Sequence, residues 1–214
     1  LVTSKYSHID GSLLVGDMSA SNEGVRLEDG KYNLYFAPVT YSDLSPLYQI
    51  AYVRDGIYIG NAGMTNTGCI SQISGVKTLW LRGNKISGLP EMESDATLTY
   101  LDVSMNSLKD FSFLERMPAL EKLYLGSSDK PAAETNDIGV LTGLEKYTNL
   151  KHIDLSGLPL HDWQVSDLRA LMPETEITFR SGGRTPWIPT VVSAGVNRQE
   201  ASAVLTGRVN SQGA

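Results

Sequence analysis

The chain has 214 residues, 41 % of them hydrophobic, enough for one large domain or a domain with a fragment of a second. No apolar run approaches the ~20 residues of a transmembrane helix, so direct membrane insertion is not expected. The net charge is −6, and the 18 Lys and Arg form no basic cluster, which argues against nucleic acid and against an anionic membrane surface.

Residues 1–30 have no regular pattern, with Gly11, Gly16, Gly24 and Gly30 as breakers, and are expected to form an N-terminal cap. Leu1 follows no methionine, basic region or apolar region, as expected if a leader was removed or the chain was cut. From Lys31 the chain repeats itself. Ile57, Leu79, Leu101 and Leu123 stand 22 residues apart, each in a segment of alternating apolar residues such as GIYIG, TLWL, YLDV and KLYL. Ile153 follows after 30 residues, which reads as 22 plus an eight-residue insertion, most of it in Ser127 to Asn136 and the remainder near Lys146 to Thr148. Leu34 with Phe36 fits a first strand, 23 residues before Ile57, and Ile177 with Phe179 a last one. Asn84 and Asn106 fall at one position of the repeat, where the other units have Val39, Ala62, Ser128 and Leu158.

These residues match the pattern LxxLxLxxNxL, so the chain resembles the leucine-rich-repeat family. DLSPL at Asp43, DFSFL at Asp110 and DIGVL at Asp137 are similar to the turn of bacterial, internalin-like repeats. The expected fold is an α/β solenoid: a short right-handed superhelix with a parallel concave sheet and short convex turns. One unit cannot bury its apolar face, so neighbours must stack and the ends need caps. A C-terminal cap is expected from a helix at about Val165 to Met172, with Leu168, Leu171 and Met172 as its apolar stripe and Pro173 as its stop. With the repeats over 31–180, residues 181–188 read as a linker and 189–214 as a β segment with runs around Val191 and Val204 to Val209. That segment resembles the start of a fibronectin type III-like or Ig-like domain of Bacteroidetes-type surface proteins. It is the beginning of such a domain, or strands that pack on the solenoid, or a tail without structure.

Strand alternation sends Leu79 and Leu81 inward and Trp80 outward. The middle outward position across the strands reads Tyr35, Tyr58, Trp80, Asp102, Tyr124, Asp154 and Thr178, with Tyr100 and His152 beside it. Aromatic side chains are enriched at interface hot spots and also stack on sugars, so Tyr35, Tyr58, Trp80, Tyr100, Asp102, Tyr124, His152 and Asp154 form the candidate binding face. The bland reading is cross-strand packing of the same rings. Lys77, Arg82, Lys122, Lys151 and His152 make a second, polar lane that either meets an acidic partner or is solvated.

Catalysis is not expected. His152, Asp154 and Ser156 have the residue types of a triad, but alternate strand residues lie ~6.5–7 Å apart, and a triad needs contacts near 3 Å. His8 and His161 lack ligand-spaced partners. Asp17, Glu23, Glu28 and Asp29 lack a calcium-loop pattern. Lone Cys69 reads as a buried small residue. No cofactor or metal is expected. The resemblance implies a binding module of a cell-surface or secreted bacterial protein, with a protein or glycan as partner. The alternative is a spacer that presents other domains.

Overall fold

The computed structural model describes residues 8–10, 12–16, 34–36, 47–48, 50–89, 97–129, 136–183, 190–199 and 202–210. In chain order the strands are β1 (His8–Ile9), β2 (Ser12–Gly16), β3 (Leu34–Phe36), β4 (Tyr52–Val53), β5 (Gly56–Gly60), β6 (Thr78–Trp80), β7 (Tyr100–Asp102), β8 (Lys122–Tyr124) and β9 (His152–Asp154). Helix α1 (Asp162–Leu171), β10 (Glu176–Thr178), β11 (Thr190–Gln199) and β12 (Ser202–Asn210) follow. One parallel sheet of eight strands runs in the order β10-β9-β8-β7-β6-β5-β2-β3. Its register joins Ile57 to Leu79, Leu101, Leu123, Ile153 and Ile177 in turn. The 22-residue period is therefore the step from one strand to the next, and the fold is a leucine-rich-repeat solenoid.

The alternation follows from burial. Ile57, Ile59, Leu79, Leu81, Leu101, Val103, Leu123, Leu125, Ile153 and Leu155 are all in the core. Each fully buried aliphatic side chain contributes ~1.5–3 kcal/mol, and the stack merges them into one continuous core. Residues four positions after the first inward residue turn the chain out of the strand through the left-handed region: Asn61 (φ 49°), Gly83 (φ 72°), Met105 (φ 55°) and Gly157 (φ 81°). Glycine and asparagine tolerate that conformation at little cost; Met105 adopts it with a Cβ in the way.

Two features differ from the sequence reading. The first is the neighbour of β5. Leu34–Phe36 was expected there, after an irregular cap. Instead β2 occupies the place, pairing Leu13 with Ile57 and Val15 with Ile59, while β3 pairs on the far side of β2. The reason lies in the sequence itself: Leu13 and Val15 precede Ile57 and Ile59 by 44 residues, two whole periods. Ile9 precedes Val53 by the same distance, and β1 pairs with β4 accordingly. Arg54 reinforces the match, its backbone N–H donating to Ile9 and its guanidinium reaching Asp10 at 2.6 Å.

The second is the asparagine ladder. Asn84 Oδ1 accepts from the N–H of Ala62 and Met64, and its Nδ2 donates to the carbonyls of Ile59 and Leu81. Asn106 repeats this one strand on, receiving Ile86 N–H and donating to Leu81 and Val103. The third rung is Asn136, not a vacancy at Ser128. Asn136 is fully buried, accepts Leu108 N–H at 2.9 Å and donates to Val103 at 2.9 Å and Leu125 at 2.7 Å. It stands thirteen residues after Leu123, whereas Asn84 and Asn106 stand five after Leu79 and Leu101. All eight inserted residues thus precede Asn136, and none falls near Lys146.

The convex side is built from 3-10 turns at Ser112–Arg116 and Leu144–Lys146. Asp110 starts the first, its Oδ1 taking the N–H and hydroxyl of Ser112; Asp43 lies outside the described residues. Helix α1 begins three residues before the expected start, because Gln164 Oε1 accepts His161 N–H and Asp162 sits favourably in the first turn. Val165, Leu168 and Met172 are buried, but Leu171 is 64 % exposed and does not belong to the stripe. Strands β11 and β12 form a separate antiparallel pair.

Candidate functional site

Because inward and outward residues alternate, each strand offers the concave face its first and third residues. The register places Tyr58 beside Trp80, Trp80 beside Asp102, Asp102 beside Tyr124 and Tyr124 beside Asp154. Tyr100 precedes Asp102 on β7, and His152 precedes Asp154 on β9. These seven candidates therefore share one surface. Tyr35 pairs with Leu14 through the backbone at the far edge of the sheet, and its side chain lies outside the described residues.

The aromatic residues fall into two arrangements. Tyr100, Tyr124 and His152 form a ladder across three strands, with ring centroids 5.1 and 5.0 Å apart and planes tilted by 33° and 39°. Tyr100 and His152 are in register with Lys122 rather than Tyr124, so the three rings meet diagonally across the strands and pack on each other. Burial pushes the Tyr100 hydroxyl well above its ordinary range, and Asp102 and Tyr124 add to it. The Tyr58 and Trp80 rings reach the glycines of β5 instead. A Cβ added to Gly60 would stand 2.3 Å from the Trp80 ring and within 3.4 Å of three of its carbons. A Cβ on Gly56 would stand 2.7 Å from the Tyr58 ring. The two rings thus abut the glycines at the two ends of β5. Both side chains are half-buried, and burial raises the Tyr58 hydroxyl above its ordinary range.

The two aspartates are not exposed contacts, contrary to expectation. Asp102 is 3 % exposed, and its Oδ1 accepts the N–H of Ser104 at 2.9 Å and its hydroxyl at 2.6 Å. Burial pushes Asp102 up to about 6, against the pull of Ser104 and of Arg82. Asp154 is 2 % exposed; it takes Ser156 N–H at 2.8 Å and, from the insertion, Ser128 N–H at 3.0 Å. Both hold the turn that follows their strand, as Asp110 does on the convex side. The shared signal is Asp-x-Ser: a carboxylate two residues before the N–H it caps. Asp154 is so engaged, His152 contacts Glu176 at 3.2 Å, and Ser156 Oγ accepts Arg180 N–H, so the three have separate partners.

The polar lane is largely paired within the chain. Arg82 crosses β7 to Ser127 at 2.8 Å and to both oxygens of Asp129 at 3.0 Å, tying the start of the insertion to the concave face. Burial alone would raise Asp129, but hydrogen bonds from Ser127 and Arg82 outweigh it and hold the carboxyl low. Lys151 pairs with Glu121 at 2.7 Å. Cys69 is buried, as expected, and burial pushes its thiol up to about 11. Among the described residues no three His, Cys, Asp or Glu side chains gather as a metal site; Asp17, Glu23, Glu28 and Asp29 lie outside them. A cavity of about 450 Å³ lies away from the strands, lined by Thr65, Asn66, Ser87, Asp110 and Arg116 among others.

No protein-family model matches the chain, and neither does any curated protein. Solved structures do. An internalin of Listeria monocytogenes is 17 % identical with a TM-score of 0.49 over 72 % of this chain and 41 % of its own. A leucine-rich-repeat protein of Leptospira interrogans is 21 % identical with a TM-score of 0.44 over 69 % of this chain and 35 % of its own. Internalin C2 of Listeria monocytogenes is 19 % identical with a TM-score of 0.42 over 64 % of this chain and 67 % of its own. The chain spans less than half the length of the first two.

Proposed function

We propose that this chain is a non-catalytic recognition module of a bacterial cell-surface or secreted protein, and that it binds a protein or glycan through the concave face. The observation that carries this reading is the half-buried aromatic pair side by side on the concave face, Tyr58 against Gly56 and Trp80 against Gly60. Rings that serve only cross-strand packing stand against one another, as Tyr100, Tyr124 and His152 do. Tyr58 and Trp80 stay partly exposed, and aromatic side chains of that kind are enriched among the residues that anchor interfaces. The repeat domain in this reading runs from β1 to about residue 180, residues 181–188 link it to the hairpin, and the hairpin opens a fibronectin type III-like or Ig-like domain. The test is ligand capture by wild type and by the Tyr58→Ala/Trp80→Ala double variant, with circular dichroism as the fold control. Loss of capture with an intact spectrum supports the module; undiminished capture refutes it.

A second reading, a spacer without a ligand, is favoured by the internal pairing of the charges, Arg82 with Asp129 and Lys151 with Glu121. It predicts that immobilised wild-type chain retains neither glycans nor host proteins.

A further inference from the structure

We propose that the groove beside α1 is a docking surface for a cationic, amphipathic segment of a partner protein. It lies outside the concave sheet and is independent of the reading given to that face. Trp163, Asp167 and Leu171, four residues apart on α1, form one side. Val140, Leu141 and Glu145, from the convex turn before it, form the other. Residues four apart share a helix face, so the three α1 side chains stand in one row. Trp163 is 55 % exposed, its ring stacked with that of His161 at 6.0 Å, and Leu171 is 64 % exposed. Of the three large hydrophobics left exposed among the described residues, these are two. The groove holds about 240 Å³, less than the ~300–1,000 Å³ of a small-molecule pocket but enough to seat an anchoring side chain.

Charge selects the occupant. Both ionisable residues that line the groove are acids, Glu145 and Asp167. The Asp167 carboxylate has no partner among the described residues. Glu145 uses Oε2 to accept Gly143 N–H at 2.8 Å, which leaves its Oε1 open. Gln164, by contrast, is satisfied at both ends, donating to Gly139 C=O and accepting His161 N–H. The neighbouring bases are placed elsewhere. Lys146 lines the next groove, with Leu114 and Tyr147, and Arg169 donates to Ile177 C=O. A partner segment with a bulky apolar residue between lysines or arginines is therefore stabilised twice. It covers Trp163 and Leu171, and it meets two carboxylates that have no base of their own. An acidic segment or an anionic lipid surface meets repulsion at the same place.

The test is fluorescence polarisation with the full chain and three labelled peptides. They are an amphipathic helix of Leu and Lys, the same peptide with Glu for Lys, and the same with Ser for Leu. Only the first should bind, and salt should weaken it. Leu171→Ala and Trp163→Ala remove exposed side chains, so circular dichroism should show an intact fold, and each should weaken binding roughly tenfold. Asp167→Lys should weaken it as well. Glu115→Lys, which exchanges an exposed carboxylate elsewhere on the convex side, and Tyr58→Ala, on the concave face, should leave it unchanged. No binding of the Leu/Lys peptide overturns the inference, as does binding that survives both Leu171→Ala and Trp163→Ala. Equal losses with Asp167→Lys and Glu115→Lys, or a loss with Tyr58→Ala, overturn it too. Retention on phosphatidylcholine vesicles or self-association in sedimentation, either one abolished by Leu171→Ala, overturns the assignment of the occupant.

Discussion

Replacing Asn136 by alanine should cost far more than its place in an insertion suggests. The amide holds three backbone groups of different repeats: Leu108 N–H, Val103 C=O and Leu125 C=O. Val103 C=O keeps Asn106 Nδ2 at 3.0 Å as a second donor. Leu108 N–H and Leu125 C=O lose the amide that pairs them, inside a shell from which water is excluded. At ~1–3 kcal/mol for each buried group left unsatisfied, the loss is about 2–6 kcal/mol. For a domain of this size ~1 kcal/mol moves Tm by roughly 2–4 °C, so the midpoint should fall by about 4–24 °C. Thermal and urea denaturation followed by circular dichroism measure it. Ser128→Ala is the matched control, since regular spacing puts that residue at the ladder position while its contacts run through its backbone, to Asp154 and Arg180. A drop below about 2 °C for Asn136→Ala, or equal drops for the two variants, would show that the third rung is misassigned.

Three further predictions test the sheet, its face and the cap. Gly126→Ala would set a Cβ 2.1 Å from Ser156 O and 2.5 Å from Ser156 N, both backbone atoms, so urea unfolding should register a loss at or above the ~1–3 kcal/mol of ordinary overpacking. Asp102 is raised by burial from 3.8 to about 6, so the folded chain binds its proton more tightly than the unfolded chain. Its contribution therefore favours folding below pH 4 and is lost as pH rises through 6. Asp102→Asn, which retains an acceptor for Ser104, should gain on wild type by about 2–3 kcal/mol between pH 4 and pH 7; a pH-independent difference in urea midpoint would contradict this. In α1, Leu168→Ala should cost ~2–5 kcal/mol and Leu171→Ala less than ~0.5 kcal/mol, and comparable Tm shifts for the pair would count against the observed helix orientation.

The repeat was legible because burial enforces it: a leucine every 22 residues is the trace of one strand stacked on the next. Alternation also put Tyr58, Trp80, Tyr100, Asp102, Tyr124, His152 and Asp154 on one face. It could not report depth. Whether an outward residue stays at the surface or sinks depends on its neighbours, here Gly56 and Gly60 against two rings and Ser104 and Ser156 capped by two carboxylates. Asn136 escaped because a fixed spacing was applied across an insertion, when the rung is defined by what the amide bonds to. Strand β2 escaped because its SLLVG run has no LxxLxL pattern and its partner is two periods away. A search for apolar pairs at 44 residues finds it. In α1, a helical stripe assigned by spacing alone included Leu171, which faces solvent at the last turn before Pro173.

The placement of β2 also has a consequence for the order of assembly. From β5 onward each strand can add to the one just formed, so the sheet grows as the chain leaves the ribosome. β2 stands 44 residues before its β5 partner and only 21 before its β3 partner, so it pairs with β3 first and with β5 later. Doubling the span from one repeat to two adds only ~0.6 kcal/mol of closure entropy, so the delay is kinetic rather than thermodynamic. The β2–β3 pair and the sheet from β5 onward are thus two units that join at one seam, and until they do the edge of β5, with Tyr58, is open to a chaperone.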